Sequence, residues 1–212
     1  MEILSPDLTE YLTNLVPPRL PEMQKMEAYA ERKGFPIIGP LCGHLCYQLA
    51  RAMGATRIFE MGSGYGYSTA WFAQAVKENG GGEVHHVVWD EKLSAMAREH
   101  LKTLGYEGLV KYTVGEAIQT LRAAKGPFDI IFMDIDKEDY VKALAGIDDK
   151  LRPGGLLIVD NMLWSGRIFD LKDKSAATQA IRELTGMMAS SDRWLANIIP
   201  LRDGLLLATK LS

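Results

Sequence analysis

The chain has 212 residues, of which 47% are apolar, and carries a formal net charge of −3. These values predict one globular domain over residues 1–212, exclude a disordered chain and disfavour a nucleic-acid partner. No apolar run approaches the roughly 20 residues that cross a bilayer, and the N-terminal segment lacks the apolar region of a secretory signal. We therefore expect a cytoplasmic protein without a membrane partner.

The chain begins with helical segments. Ser5-Pro6-Asp7 places an N-cap before a proline and predicts a helix to about Leu15, and a second helix is expected over Pro21–Arg32, ended by Gly34. Residues 1–35 thus form a helical extension that could serve as a lid, as a dimer contact or as both, and we expect a homodimer.

A third helix is predicted from Pro40 to Met53, on which Cys42 and Cys46 lie one turn apart. A second cysteine pair, or a suitably spaced histidine, would be needed to complete a zinc site, and the sequence offers neither. Two reduced, largely buried thiols are the better interpretation.

Strands and helices alternate through the rest of the chain. The predicted strands are Arg57–Met61, Val84–Trp89, Val110–Val114, Phe128–Met133, Leu156–Val159, Trp194–Ile199 and Leu205–Thr209. The predicted helices run from Ser68 to about Glu78, Lys92–Leu104, Ala117–Ala124, Tyr140–Leu151 and Ala176–Ala189. Alternation of this kind predicts an α/β fold with a doubly wound, mostly parallel seven-stranded sheet, and Asp203-Gly204 predicts a closing antiparallel hairpin.

A glycine-rich segment follows the first strand. Its glycines stand at Gly62, Gly64 and Gly66, between Glu60 and a predicted helix start. Glycines let the backbone turn tightly and approach a ligand, and a helix N-terminus favours negative charge, so the segment predicts a cofactor loop rather than a plain turn. Tyr67 occupies the position of the third glycine in a dinucleotide fingerprint, which argues against a bound pyrophosphate.

Acidic and amide side chains follow two later strands. Asp134 comes directly after the fourth strand, and Asp160 and Asn161 follow the fifth. Carboxyl ends of parallel strands converge on one crevice, so these side chains should meet beside the glycine loop as an oxygen site for Mg²⁺, Ca²⁺ or Mn²⁺. The alternative is that they cap helices or form turns.

Four segments together carry a resemblance to a known family. They are Glu60–Ser68, the D-x-D-K-x-x-Y segment Asp134–Tyr140, Leu151–Gly155 and the D-N-x-L-W-S-G segment Asp160–Gly166. In this order, over roughly residues 36–210, they resemble the cation-dependent class I S-adenosylmethionine (SAM) O-methyltransferases, which include catechol and caffeoyl-CoA O-methyltransferases. The resemblance implies a Rossmann-like methyltransferase fold, SAM and a divalent cation such as Mg²⁺ as cofactors, and a small, catechol-like acceptor.

The resemblance also implies roles for individual residues. Ser68 would hold the methionine carboxylate of SAM, and Lys137 would take the proton from the acceptor hydroxyl beside Asp134. The implied cofactor-binding residues are Ile38, Glu60, Gly62, Ser63, Gly64, Gly66, Ser68, Asp90, Glu116, Ala117 and Asp134. The implied metal ligands are Asp134, Asp160 and Asn161.

One position departs from the family pattern. Val88 stands where the family has an acid that binds the ribose hydroxyls, and Asp90, two residues later, is the alternative acid. Two other functions therefore stay open. A nicotinamide-dependent oxidoreductase is disfavoured by Tyr67, and a SAM- or metal-binding protein without turnover is favoured by Val88 alone.

Overall fold

The computed structural model describes residues 4–212, so residues 1–3 of the expected N-terminal extension lie outside it. The helices are α1 (Pro6–Asn14), α2 (Pro21–Lys33), α3 (Gly39–Ala52), α4 (Tyr67–Glu78), α5 (Glu91–Thr103), α6 (Ala117–Ala123), α7 (Tyr140–Lys150) and α8 (Ala176–Ala189). The strands are β1 (Arg57–Met61), β2 (Glu83–Val88), β3 (Val110–Val114), β4 (Phe128–Met133), β5 (Leu151–Val159), β6 (Trp194–Ile199) and β7 (Leu205–Lys210). Short 3-10 turns cover Glu107–Leu109, Lys137–Asp139 and Trp164–Phe169.

The described residues form one seven-stranded sheet in the order β3-β2-β1-β4-β5-β7-β6. Strands β1 to β5 pair in parallel, whereas β7 is antiparallel to both β5 and β6. This confirms the predicted doubly wound, mostly parallel sheet with its closing hairpin. The order reverses between β1 and β4, and the carboxyl ends of strands around such a switch point form a binding crevice.

Apolar side chains cover both faces of the sheet. Ile58 of β1 belongs to one buried cluster, packed with α3 and α4, whereas Phe59 and Met61 belong to the other, packed with α7 and α8. Both faces of β1 are therefore covered, as they usually are in a parallel strand of a doubly wound sheet. Within the described part of the chain, no helix is long and apolar enough to cross a membrane.

Strand β5 starts earlier than predicted. Residues 152–155, with their Pro-Gly-Gly sequence, were expected to separate a helix from a strand that begins at Leu156. Instead β5 begins at Leu151, which pairs with Phe128 before the register shifts in a bulge. The Asp129 carboxylate accepts a 2.7 Å hydrogen bond from Arg152 Nε, which fixes the bulge to the neighbouring strand. Tertiary pairing therefore overrides the local turn signal.

Helix α2 is attached to the domain core by the glycine-rich segment. Its buried residues include Met23 and Met26. The Tyr65 hydroxyl donates to the carbonyl of Met26 at 2.9 Å, and the Tyr67 hydroxyl donates to Glu27 Oε1 at 2.8 Å. Tyr67, which replaces a fingerprint glycine, thus anchors an N-terminal helix.

The packing of α3 against α4 depends on a glycine. Trp71 of α4 lies over Gly43, and a Cβ added at Gly43 would be 2.2 Å from the indole nitrogen. Both residues are buried. On α3, the thiols of Cys42 and Cys46 are free and buried, as the sequence predicted.

We predict that Gly43→Ala destabilises the protein by about 1–3 kcal/mol, because the added methyl overpacks a filled interface. Gly186→Ala is the matched control: Gly186 is a glycine of α8 whose Cβ would meet nothing within 4 Å. Alanine favours a helix by up to about 1 kcal/mol over glycine, so the control should be neutral or stabilising. Urea denaturation measures both, and equal stabilities would contradict the packing argument.

Candidate active site

The carboxyl ends of β1, β4 and β5 open into a cleft of about 900 Å³. This volume falls within the range typical of small-molecule sites. Most residues that the sequence assigned to a site line this cleft: Ile38, Gly62, Ser63, Gly64, Ser68, Glu116, Ala117, Asp134, Lys137, Asp160 and Asn161. Glu60, Gly66 and Asp90 are outside its lining.

The glycine loop and the end of β4 are in backbone contact. Gly62 has φ of +86°, and a Cβ there would lie 2.1 Å from the carbonyl oxygen of Asp134. The main-chain N–H groups of Gly62 and Ser63 donate to the carbonyl of Val87 at 3.2 and 2.9 Å, and Val87 N donates back to Ser63 Oγ at 2.9 Å. Only glycine fits at position 62, and the loop is fixed to both neighbouring strands.

Helix α4 begins directly after this loop without a side-chain cap. Gly66 precedes it with φ of +92°, packed against Ala97 of α5, so it shapes the turn from behind the cleft. Ser68 lies buried in the first helical turn. An uncapped helix N-terminus beside a serine hydroxyl suits a carboxylate, such as that of a bound amino acid.

Glu60 lies beneath the loop and is fully buried. Its Oε2 accepts a hydrogen bond from Thr69 Oγ1, whereas Oε1 has no partner among the described residues. Burial raises the pKa of Glu60 to about 7, against the opposing effect of the Ser68, Thr69 and Ser63 hydroxyls. A buried carboxylate with an unpaired oxygen is suited to accept a hydrogen bond from an ammonium group, so the loop fits both ends of an amino-acid moiety.

Two carboxylates, those of Asp134 and Asp160, lie near each other at the other end of the cleft. Asp134 Oδ1 is 3.1 Å from Lys137 Nζ, and Asp160 Oδ2 is 3.1 Å from Arg202 Nη1. Asp160 Oδ1 also accepts from the main-chain N–H of Asn161 at 2.8 Å. Burial raises the pKa of Asp160 to about 6, and the nearby charge of Asp134 adds to the rise. The two acids therefore share one small region.

A cation site in this region would need the side-chain amide of Asn161 as a ligand in addition to the carboxylates of Asp134 and Asp160. Among residues 4–212, no three His, Cys, Asp or Glu side chains form a cluster that could hold a metal ion. The Asn161 side chain donates from Nδ2 to Asp203 at 3.2 Å, which leaves its carbonyl oxygen as the acceptor end. Two carboxylates and one amide oxygen are the ligand types that Mg²⁺, Mn²⁺ and Ca²⁺ take.

Lys137 lies in a notch beside these acids, with only 8% of its surface exposed. Its Nζ donates to Asp134 and to the carbonyl of Ile135, both at 3.1 Å. The same atom lies 5.1 Å from the centre of the Tyr140 ring and 5.8 Å from that of Trp164. These contacts hold the amine at the cleft.

Sequence reasoning missed Arg202. It lies in the turn between β6 and β7, which was interpreted only as a hairpin, yet its side chain lines the cleft and pairs with Asp160. Arg202 adopts φ of +54°, which is unusual for a residue other than glycine. Only the position of the hairpin beside β5 could have signalled its role.

Asp90, the alternative to the acid that is missing at position 88, caps a helix. Strand β2 ends at Val88, one residue earlier than predicted, and Asp90 becomes the N-cap of α5, where Oδ1 accepts from Leu93 N at 2.9 Å. Asp90 therefore serves the helix rather than the cleft.

A second cavity of about 880 Å³ adjoins the first. The two share Ile38, Asn161 and Arg202. Residues of α1 line its outer side: Pro6, Thr9, Glu10 and Thr13.

Comparison with known proteins gives a consistent result. Residues 18–211 match the family described as O-methyltransferase. A catechol O-methyltransferase of Niastella koreensis is 31% identical over 186 residues, covering 82% of this chain and 83% of that protein. A catechol O-methyltransferase of Mycobacterium tuberculosis is 35% identical over 140 residues, covering 66% of this chain and 63% of that protein.

Solved structures agree with the sequence relatives. The O-methyltransferase TomG of Streptomyces achromogenes, involved in tomaymycin synthesis and solved with SAM, has a TM-score of 0.87 at 27% identity, covering 97% of this chain and 96% of that one. An O-methyltransferase of Bacillus cereus, solved with S-adenosylhomocysteine (SAH), has a TM-score of 0.86 at 25% identity, covering 96% and 97%.

The buried Glu60 carboxyl leads to a pH prediction. With a pKa of about 7 in the ligand-free protein, Glu60 must lose a proton before it can pair with the ammonium group of SAH. Affinity for SAH should therefore rise about fivefold from pH 6 to pH 7, which calorimetry measures. Glu60→Gln should remove this dependence, and Glu99→Gln, on the exposed side of α5, should retain it. An unchanged pH profile in Glu60→Gln would contradict the assignment.

Proposed function

Because the chain belongs to the O-methyltransferase family and is a SAM-dependent O-methyltransferase, we propose that it methylates a hydroxyl of a small, catechol-like aromatic acceptor with the help of a divalent cation. The observation that carries the proposal is the convergence of Lys137, Asp134, Asp160 and Asn161 at one end of the cleft that starts at the glycine loop.

The glycine loop supports the proposed SAM position. The uncapped start of α4, with Ser68, would bind the methionine carboxylate, and Glu60 would accept from the ammonium group. Ile38 and Ala117 line the same cleft, and Ala117 would contact the adenine. These residues bind and orient the cofactor.

Asp134, Asp160 and Asn161 would hold Mg²⁺, Mn²⁺ or Ca²⁺. When bound, such an ion stabilises the ionised form of an acceptor hydroxyl, which for a phenol otherwise has a pKa near 10. The ion pair between Arg202 and Asp160 would then break, because the guanidinium and the cation need the same carboxylate. Two vicinal hydroxyls on the acceptor suit such a site better than one.

Lys137 is the proposed base. In its neutral form, Nζ takes the hydroxyl proton of the acceptor, whose oxygen forms a bond to the methyl carbon as the sulfur–methyl bond breaks and SAH leaves. The aromatic notch of Tyr140 and Trp164 keeps Nζ in place. Positioning of the two reactants supplies the rest of the rate.

Two observations support an aromatic acceptor. The relatives from N. koreensis and M. tuberculosis are catechol O-methyltransferases. The Trp164 indole lines the cleft beside Lys137, where it can pack against a flat ring. The second cavity, bounded by α1, is the space in which we place the remainder of the acceptor.

The comparisons do not favour the nicotinamide-dependent alternative. For a binding protein without turnover, Val88 is the only supporting residue, and a measurement of turnover decides between that function and catalysis.

We also propose a cytoplasmic homodimer. The free, buried thiols of Cys42 and Cys46 suit a reducing compartment. Exposed apolar residues on and near α1 (Leu8, Tyr11, Leu15 and Leu20) offer a surface for a second copy. A monomer mass by light scattering would refute the dimer.

The function is tested with radiolabelled SAM, Mg²⁺ and catechol. We expect label to move to the acceptor, EDTA to abolish the transfer, and Mg²⁺ or Mn²⁺ to restore it. Full activity with EDTA would refute the cation requirement but not the methyl transfer. Failure to methylate any of a panel of catechols would refute the acceptor class.

We predict that Lys137→Ala lowers kcat by about 10²–10⁴-fold, the usual contribution of a general base, and leaves SAH affinity within about twofold. Lys142→Ala is the control, since this exposed lysine pairs with Asp139 but does not itself line the cleft. Turnover by Lys137→Ala within a few-fold of wild type would show that the lysine is only structural.

A further inference from the structure

The ribose end of the cleft has an unusual surface. In doubly wound sheets an acid at the carboxyl end of β2 accepts hydrogen bonds from the ribose hydroxyls of the cofactor. Here Met61 pairs with Val87, which places Val88 level with Gly62, the first glycine of the loop. Val88 lines the cleft and is only 4% exposed. An apolar side chain therefore stands where a carboxylate would receive the diol.

Two acids that follow β2 and β3 in the chain, Asp90 and Glu116, cap helices. Asp90 caps α5 through Leu93 N. Glu116 caps α6, with Oε1 2.7 Å from Ile118 N and Oε2 2.8 Å from Gln119 N. Moving either carboxylate into the cleft would remove a helix cap, which stabilises by about 1 kcal/mol.

The rest of this wall is also apolar. Trp89 follows Val88, lines the cleft and exposes 81% of its surface, the largest exposure among the described apolar side chains. Leu93 and Ala117 complete the wall. An exposed indole beside a nucleoside site offers a surface on which a base can stack. Stacking holds the base without any hydrogen bond to the ribose hydroxyls.

We propose that this chain holds the nucleoside of SAM through apolar contact with Val88 and stacking on Trp89, without recognising the ribose hydroxyls. It therefore accepts 2′-deoxy and 3′-deoxy forms of SAM and SAH about as well as the parent compounds. The inference rests on the use of SAM and is independent of the proposed cation and acceptor.

Calorimetric titration of the native chain with SAH, 2′-deoxy-SAH and 3′-deoxy-SAH tests the proposal without metal or acceptor. We expect the three dissociation constants to agree within about threefold. A loss of tenfold or more for either deoxy compound, as a hydrogen bond to a charged group would give, would overturn it, as would failure of SAH to bind at all.

Substitutions at two positions sharpen the test. Val88→Glu should create a preference for SAH over both deoxy compounds of about tenfold or more, whereas Val88→Leu, the control for added bulk, should create none. Trp89→Ala should weaken all three ligands equally, by about tenfold, and Trp89→Phe should restore most of the affinity. Since Trp89 is exposed, its variants should fold. Unchanged SAH affinity in Trp89→Ala, or a loss confined to one ligand, would overturn the stacking surface.

Discussion

The backbone contact between Gly62 and Asp134 sets the geometry on which the rest of the cleft depends. The ends of β1 and β4 approach so closely that a Cβ at position 62 would lie 2.1 Å from the Asp134 carbonyl oxygen. The same approach gives the hydrogen bond from Asp134 N to the carbonyl of Met61, at 2.9 Å. The glycine loop, proposed to bind the cofactor, and Asp134, proposed to act at the acceptor, are thereby joined through the main chain, which varies far less in position than side chains do.

Charge balance at the two ends of the cleft follows different rules. At the end proposed for the acceptor, each acid has a cation within the protein, Lys137 for Asp134 and Arg202 for Asp160. At the end proposed for the cofactor, Glu60 is buried with hydroxyl groups only, and one oxygen has no partner among the described residues. An unpaired buried carboxyl is costly for the folded protein, and a positively charged ligand would supply the missing partner.

Much of this arrangement could be predicted from the sequence, because residues at the ends of parallel strands converge wherever the strands themselves are recognised. Asp134, Asp160 and the glycines needed only correct strands to be placed together. The bulged start of β5 was missed because its Pro-Gly-Gly sequence favours a turn, while pairing with β4 is a tertiary effect. Arg202 was missed for a similar reason: its contact with Asp160 joins residues distant in sequence. Asp90 caps a helix because β2 ends one residue earlier than predicted. Sequence patterns do not locate the end of a strand to within one residue.

The wall contributed by α1 has a consequence for how such an enzyme diversifies. This helix buries none of its own residues, yet it bounds the cavity next to Asn161 and Arg202. Substitutions at Thr9 or Glu10 can thus reshape that cavity with little effect on folding, since exposed helix positions contribute little to stability. If this cavity holds part of the acceptor, as proposed, selection can explore new substrates on this surface while the sheet and its strand-end residues stay fixed, and specificity and foldability are then encoded in separate parts of the chain.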